Sequence, residues 1–104
     1  MDEYRMIWER SSTLDLGHLD QASTNREYIV VALLKEFRIY TTQNGRRMAF
    51  GKLEDYNGSI EMVVFPDLFE KNEASFVKDR VLFLKGVLDD SRRDFSLKVQ
   101  AILD

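Results

Sequence analysis

The chain has 104 residues, 44% of them hydrophobic, which is enough for one domain around a single core. It contains no cysteine and a single histidine, His18, so a disulfide framework, a thiolate metal site and an imidazole-based metal cluster are all excluded. The net charge of −3 argues, taken whole, against a nucleic-acid partner, but its distribution is uneven. Residues 26–52 carry six bases (Arg26, Lys35, Arg38, Arg46, Arg47, Lys52) against Glu27 and Glu36, while residues 53–79 carry two bases against seven acids.

Residues 1–25 differ in texture from the rest. Asp2 is a good N-cap, and Tyr4, Ile7 and Trp8 fall at i, i+3 and i+4, the spacing of one face of a short N-terminal helix ending near Ser11 and Ser12. Trp8 on such a face reads as packing. Leu14, Leu16 and Leu19 among polar neighbours read as a loop or a single turn laid on the surface. The N-terminus lacks the apolar core of a signal peptide, and no apolar run approaches the roughly 18 to 20 residues of a membrane span, so a cytoplasmic chain with no membrane partner is expected.

From residue 26 the pattern is that of strands, at about 27–41, 46–55, 59–65, 80–89 and 94–103. Asn44-Gly45 and Asn57-Gly58 are pairs that supply the positive φ that tight hairpin loops need, so the first three strands read as a meander. Pro66, the only proline, ends the third strand. Leu68, Phe69 and Phe76 then have helix-compatible spacing, predicting a short helix over 67–76. The first strand is long, as it must be if it bends and pairs in both halves of a barrel. The expected organisation is a helix and connecting segment over 1–25, then an all-β, five-stranded Greek-key barrel over 26–104 with one helix between strands three and four.

Alternation assigns the faces. In the second strand Ala49, Gly51 and Leu53 share one face, and Met48, Phe50, Lys52 and Glu54 the other, which the charged residues mark as outward. In the third, Ile60, Met62 and Val64 point inward, and Glu61, Val63 and Phe65 outward. Leu82, Leu84, Gly86 and Leu88, then Phe95, Leu97, Val99 and Ala101, read as interior, with Lys85, Ser96, Lys98 and Gln100 outside. An outward Phe50 among cations is what a single strand asks for, because every base offers a π-face and every linkage a negative charge. The turn at Asp89 to Asp94 adds Arg92 and Arg93 at the mouth of the same groove.

The string Met48-Ala49-Phe50, Leu53-Glu54-Asp55, Gly58, Ile60-Glu61 and Val63-Val64-Phe65-Pro66, with Arg38, Thr42 and Gly45 before it, resembles the oligonucleotide/oligosaccharide-binding (OB) domain of bacterial replicative DNA polymerase III alpha subunits. The resemblance covers nearly the whole chain, Asp2-Glu3-Tyr4 included, and implies one domain of a far longer DNA-directed DNA polymerase, a nucleotidyltransferase. It implies an OB barrel that binds single-stranded DNA during DNA replication and meets other polymerase domains and replisome proteins. The residues it and the face assignment put forward for nucleic-acid binding are Arg38, Tyr40, Arg46, Arg47, Phe50, Lys52, Lys85, Arg92, Arg93 and Lys98. Gln43 and Asn44 stand where the family has basic residues after the loop threonine, which leaves Arg46 and Arg47 to supply the loop contacts.

Catalytic chemistry is not expected in this segment. Glu54-Asp55 and Asp89-Asp90 are adjacent carboxylates whose side chains point to opposite faces, a poor arrangement for the two-metal site of a polymerase. No phosphate loop, nucleophile with a histidine base or metal-ligand cluster is present, and no cofactor is expected. Two other readings stay open. One is a protein-docking module without DNA binding, favoured by the acidic 53–79 segment; the other is the anticodon-binding OB domain of a class II aminoacyl-tRNA synthetase, whose usual glutamine is here Glu61.

Overall fold

The computed structural model describes residues 16–17, 26–90 and 95–103. Five strands form a closed barrel: β1 (Glu27–Thr41), β2 (Arg47–Glu54), β3 (Ser59–Val64), β4 (Val81–Asp89) and β5 (Ser96–Ile102), in the spatial order β1-β2-β3-β5-β4. Helix α1 (Pro66–Asn72) and a 3-10 turn (Glu73–Ser75) join β3 to β4. Neighbouring pairs are antiparallel apart from β3 with β5, which run parallel. The order of five strands with the helix after the third is thus as expected, and the strand ends agree within two residues. The predicted N-terminal helix lies outside the described residues.

β1 serves both halves of the barrel. Residues Glu27–Leu33 pair with β4, and Leu33–Thr41 pair with β2. The two pairings overlap at Leu33, and a bulge between Leu34 and Glu36 interrupts the β2 pairing just beyond the end of the β4 one. It also exchanges the faces, because one extra residue flips every side chain beyond it. Tyr28, Val30, Ala32 and Leu34 are buried before the bulge, and Phe37 packs on the core after it. Arg38 and Tyr40 are thereby turned outward. The turn before β4 closes over the bulge, with Leu34 N–H donating to Arg80 O (3.0 Å) and Asp79 N–H to Leu34 O (2.7 Å). Asp79 adopts a positive φ of 70° to make that turn, a conformation Asp tolerates better than most residues.

The interior is filled from every strand: Ala49, Leu53, Met62, Val64, Leu84 and Leu97 are each fully buried. Helix α1 starts at Pro66, where the missing N–H is harmless and the fixed φ suits the first turn, one residue earlier than predicted. It ends at Asn72, whose side-chain amide donates to Leu68 O (3.0 Å), so residues 73–75 continue only as a 3-10 turn. Phe69 from α1 and Phe76 after it are buried against Phe37, with ring centroids between 5.9 and 6.1 Å apart. Each such ring pair adds about 0.5–1.5 kcal/mol beyond its burial. This aromatic triad seats the helix beside the first hairpin.

The two hairpin loops differ from one another. At Thr42–Arg46, Gly45 has φ +78°, and its N–H donates to Thr42 O (2.9 Å) as the pattern predicts. At Asp55–Gly58 neither Asn57 nor Gly58 has a positive φ, which corrects the expectation for that pair. The Asp55 side chain closes this loop instead, its Oδ1 accepting the N–H groups of Asn57 (2.7 Å) and Gly58 (2.8 Å). Glycine is required at 58 for room, since a Cβ there would lie 2.5 Å from Leu16 O. Leu16, expected on the surface, is 4% exposed and part of the barrel core, with its N–H donating to Asp55 Oδ2 (2.9 Å).

A further correction falls at the end of β5. Gly86 pairs with Val99 and Lys85 with Ala101, so Gln100 is an extra residue and the alternation slips. Ala101 is therefore only partly buried, and Ile102, opposite Leu84, packs on the core in its place.

Candidate nucleic-acid interface

Strand register brings the outward residues of four strands into one row. Arg38 is opposite Phe50, Phe50 opposite Val63, and Val63 opposite Lys98. At strand spacings of about 4.8 Å this row crosses roughly 14 Å of sheet, apolar in the middle and cationic at both ends. A second row runs beside it, with Glu36 opposite Lys52 and Lys52 opposite Glu61.

Phe50 is the centre of the first row. The Arg38 guanidinium carbon lies 5.5 Å from its ring centroid, and the Tyr40 ring meets it edge-on at 6.3 Å. Tyr40 keeps 55% of its surface exposed. Arg38, Phe50 and Lys52 line a groove of about 360 Å³ with Glu36, Glu61 and the backbone of Gly51. Arg38 and Lys52 form no ion pair among the described residues. Gly51 keeps the floor of the groove tight, because a Cβ there would stand 2.7 Å from Glu36 O and 2.8 Å from Met62 Cε.

The hairpin arginines are placed differently. Arg46 Nη2 donates to Asp67 Oδ1 (2.7 Å) and Glu70 Oε1 (2.6 Å), and Arg47 Nη2 to Glu73 Oε2 (2.8 Å). The hydrogen bond to Glu70, then that to Asp67, raises the Arg46 pKa above its ordinary value. Arg47 also lies over the Phe69 ring, 5.9 Å from its centroid. The cationic 26–52 block and the acidic 53–79 block therefore meet at this corner and neutralise each other. The acids of α1 were legible as charge but not as partners, since no spacing in the sequence connects residue 46 to residues 67 and 70.

The remaining site residues divide. Lys98 stands in the Phe50 row with its ammonium 3.4 Å from Asp89 Oδ2. Lys85 does not join them: it pairs with Ile29 on the β1–β4 wall, nine residues along β1 from Arg38, and contacts Glu27 at 3.2 Å. Arg92 and Arg93 lie outside the described residues. Among the described residues no three His, Cys, Asp or Glu side chains are grouped to hold a metal ion, and no helix is long and apolar enough to cross a membrane.

A closed barrel of five strands in this order, with a groove on the outer face of β1, β2 and β3, defines an OB fold. The pattern of the OB-fold nucleic acid binding domain family matches residues 28–104, and the chain belongs to that family. Within it the chain is 38% identical over 104 residues to DNA polymerase III subunit alpha of Treponema pallidum (strain Nichols), which covers 100% of this chain and 9% of that protein. It is 30% identical over 98 residues to the alpha subunit of Aquifex aeolicus (strain VF5), covering 94% of this chain and 8% of that protein. The same subunit of Borreliella burgdorferi is 28% identical over 107 residues, covering 100% and 9%. The chain thus spans less than a tenth of the length of these relatives, and the expected likeness to the polymerase OB domain holds.

Solved structures agree on the fold. The protein PriB from Ralstonia solanacearum superposes with a TM-score of 0.61 at 16% identity, covering 79% of this chain and 97% of that one. Rim1, a mitochondrial single-stranded DNA binding protein from S. cerevisiae, gives 0.59 at 13%, covering 79% and 94%.

Proposed function

We propose that this chain is a single-stranded DNA-binding domain of a bacterial replicative polymerase alpha subunit, holding template strand on the outer face of β1, β2 and β3 in the cytoplasm. The observation that carries the reading is the Arg38–Phe50–Tyr40 cluster, an aromatic platform covered by a guanidinium that forms no ion pair among the described residues, with a second cation, Lys98, at the end of the same row. Bases stack on such a platform whatever their identity, and the cations attract the linkages between them. Polymerase relatives favour this reading over the anticodon-binding one. The role is positional and non-catalytic within a longer polymerase, whose other domains, with replisome proteins, are the protein partners of this reading.

Titration of labelled single-stranded DNA at about 50 and 200 mM salt tests the reading. With two phosphate contacts, from Arg38 and Lys98, and a slope of about −0.7 per contact, affinity falls about 7-fold over that range. Duplex DNA of equal length binds more weakly than the single strand. Absence of binding at the lower salt contradicts the proposal.

A second reading, docking to a protein without DNA, has one observation in its favour. The two hairpin arginines that would meet a strand already have carboxylate partners, Arg46 on α1 and Arg47 on the 3-10 turn after it. Cross-linking of the chain to a polymerase fragment, with no DNA binding in the titration, is the outcome that favours it.

A further inference from the structure

The row Glu36, Lys52, Glu61 runs beside the Phe50 platform and closes one side of the 360 Å³ groove. Directly opposed residues on neighbouring strands have Cβ atoms about 4.5–5.5 Å apart, so Lys52 stands between two carboxylates. Two acids around one base repel a phosphate. They do not repel the neutral edge of a nucleobase lying on Phe50.

We infer that Glu61 and Lys52, supported by Glu36, read the Watson–Crick edge of a base stacked on Phe50 and select guanine over thymine. The inference rests on the reading that a single strand binds this face. A carboxylate only accepts hydrogen bonds and an ammonium only donates them. Guanine offers N1–H and the 2-amino group as adjacent donors, which a carboxylate takes as a pair, and O6 beside them as an acceptor for Lys52. Cytosine and adenine each match one donor and one acceptor. Thymine flanks its only donor with two carbonyl oxygens, so any pose that brings N3–H to Glu61 also brings an oxygen against the carboxylate, the arrangement a buried or half-buried acceptor pair disfavours.

The test is competition by unlabelled 12-mers against a labelled strand bound to the 104-residue chain. One competitor is thymidine throughout; the second has a single central guanine, and the third has hypoxanthine there, which lacks the 2-amino group. The guanine oligonucleotide is expected to compete about fivefold better than thymidine alone, the lower end of what one bidentate base contact gives, with hypoxanthine between them. In Glu61→Gln, and more weakly in Glu36→Gln, the ratio of guanine to thymine affinity falls towards one; circular dichroism of each variant establishes that the barrel is intact. Equal competition by all three oligonucleotides, or a ratio preserved in Glu61→Gln, overturns the inference and leaves strand binding standing, with the row a charge ladder that only pairs strands. No competition by any oligonucleotide, because no strand binds, removes both.

Discussion

Two cationic regions of this barrel lie on the same strands and have opposite fates. On the sheet face, Arg38 covers Phe50 and Lys52 lines an open groove; at the hairpin, Arg46 and Arg47 are drawn onto α1 and the turn after it by Asp67, Glu70 and Glu73. The charges are similar and the setting is not. The cross-strand neighbour of Arg38 is the Phe50 ring, whereas the hairpin overhangs an acidic helix that the Phe37–Phe69–Phe76 triad holds in place. A count of positive residues therefore overstates the field available to a polyanion. What matters is which cations lack an acid within reach.

The seat of the helix is the most sensitive point of this arrangement. Phe69→Ala removes a fully buried ring that touches both Phe37 and Phe76, and is expected to lower stability by about 3–5 kcal/mol in a denaturant titration. Strand binding measured below the new transition should persist, since the Phe50 groove is built from β1, β2 and β3. Loss of binding in a folded Phe69 variant would mean that α1 is part of the interface.

Phe50→Ala comes next. Stacking is hardly screened, so affinity for single-stranded DNA should drop by roughly 1–3 kcal/mol at both low and moderate salt. Arg38→Ala should act differently, reducing the salt slope by about 0.7. A Phe50 variant that changes thermal stability and not affinity would move the site off this face.

Smaller effects distinguish the hairpin. Neutralising the helix by Asp67→Asn, Glu70→Gln and Glu73→Gln frees Arg46 and Arg47, and is expected to raise affinity a few fold at low salt and to steepen the salt dependence. Exposed ion pairs contribute only about 0–1 kcal/mol each, so the variant should lose little stability. An unchanged affinity would show that the hairpin does not approach the strand even when its arginines are released.

How much of this was legible depended on whether the governing interaction was local. The alternation in β2 and β3, marked by Lys52 and Glu61, gave the correct inward and outward sets, and Gly45 gave its turn. Leu16 was not readable as core, because what buries it is the distant Asp55–Gly58 loop. Gly58 was assigned a conformational role when its need is space. Ala101 was assigned inward because a bulge at Gln100 leaves no signature in a run of alternating residues. In β1 the run from Tyr28 to Leu34 is apolar at every position, so no parity could be read there, and the bulge that turns Arg38 outward left no mark in the sequence. The pairing of Arg46 with Asp67 and Glu70 had no such mark, being set by the tertiary placement of α1.

On the proposed reading the sheet face, and not the hairpin, carries strand binding. Fluorescence anisotropy of one labelled single strand, measured in parallel for the parent chain, Phe50→Ala and the double variant Arg46→Ala with Arg47→Ala, tests it most directly. Phe50→Ala is expected to lose about fivefold or more in affinity at both salts, and the double arginine variant less than about threefold. A large, salt-sensitive loss in the arginine variant beside an unaffected Phe50 variant would contradict the reading.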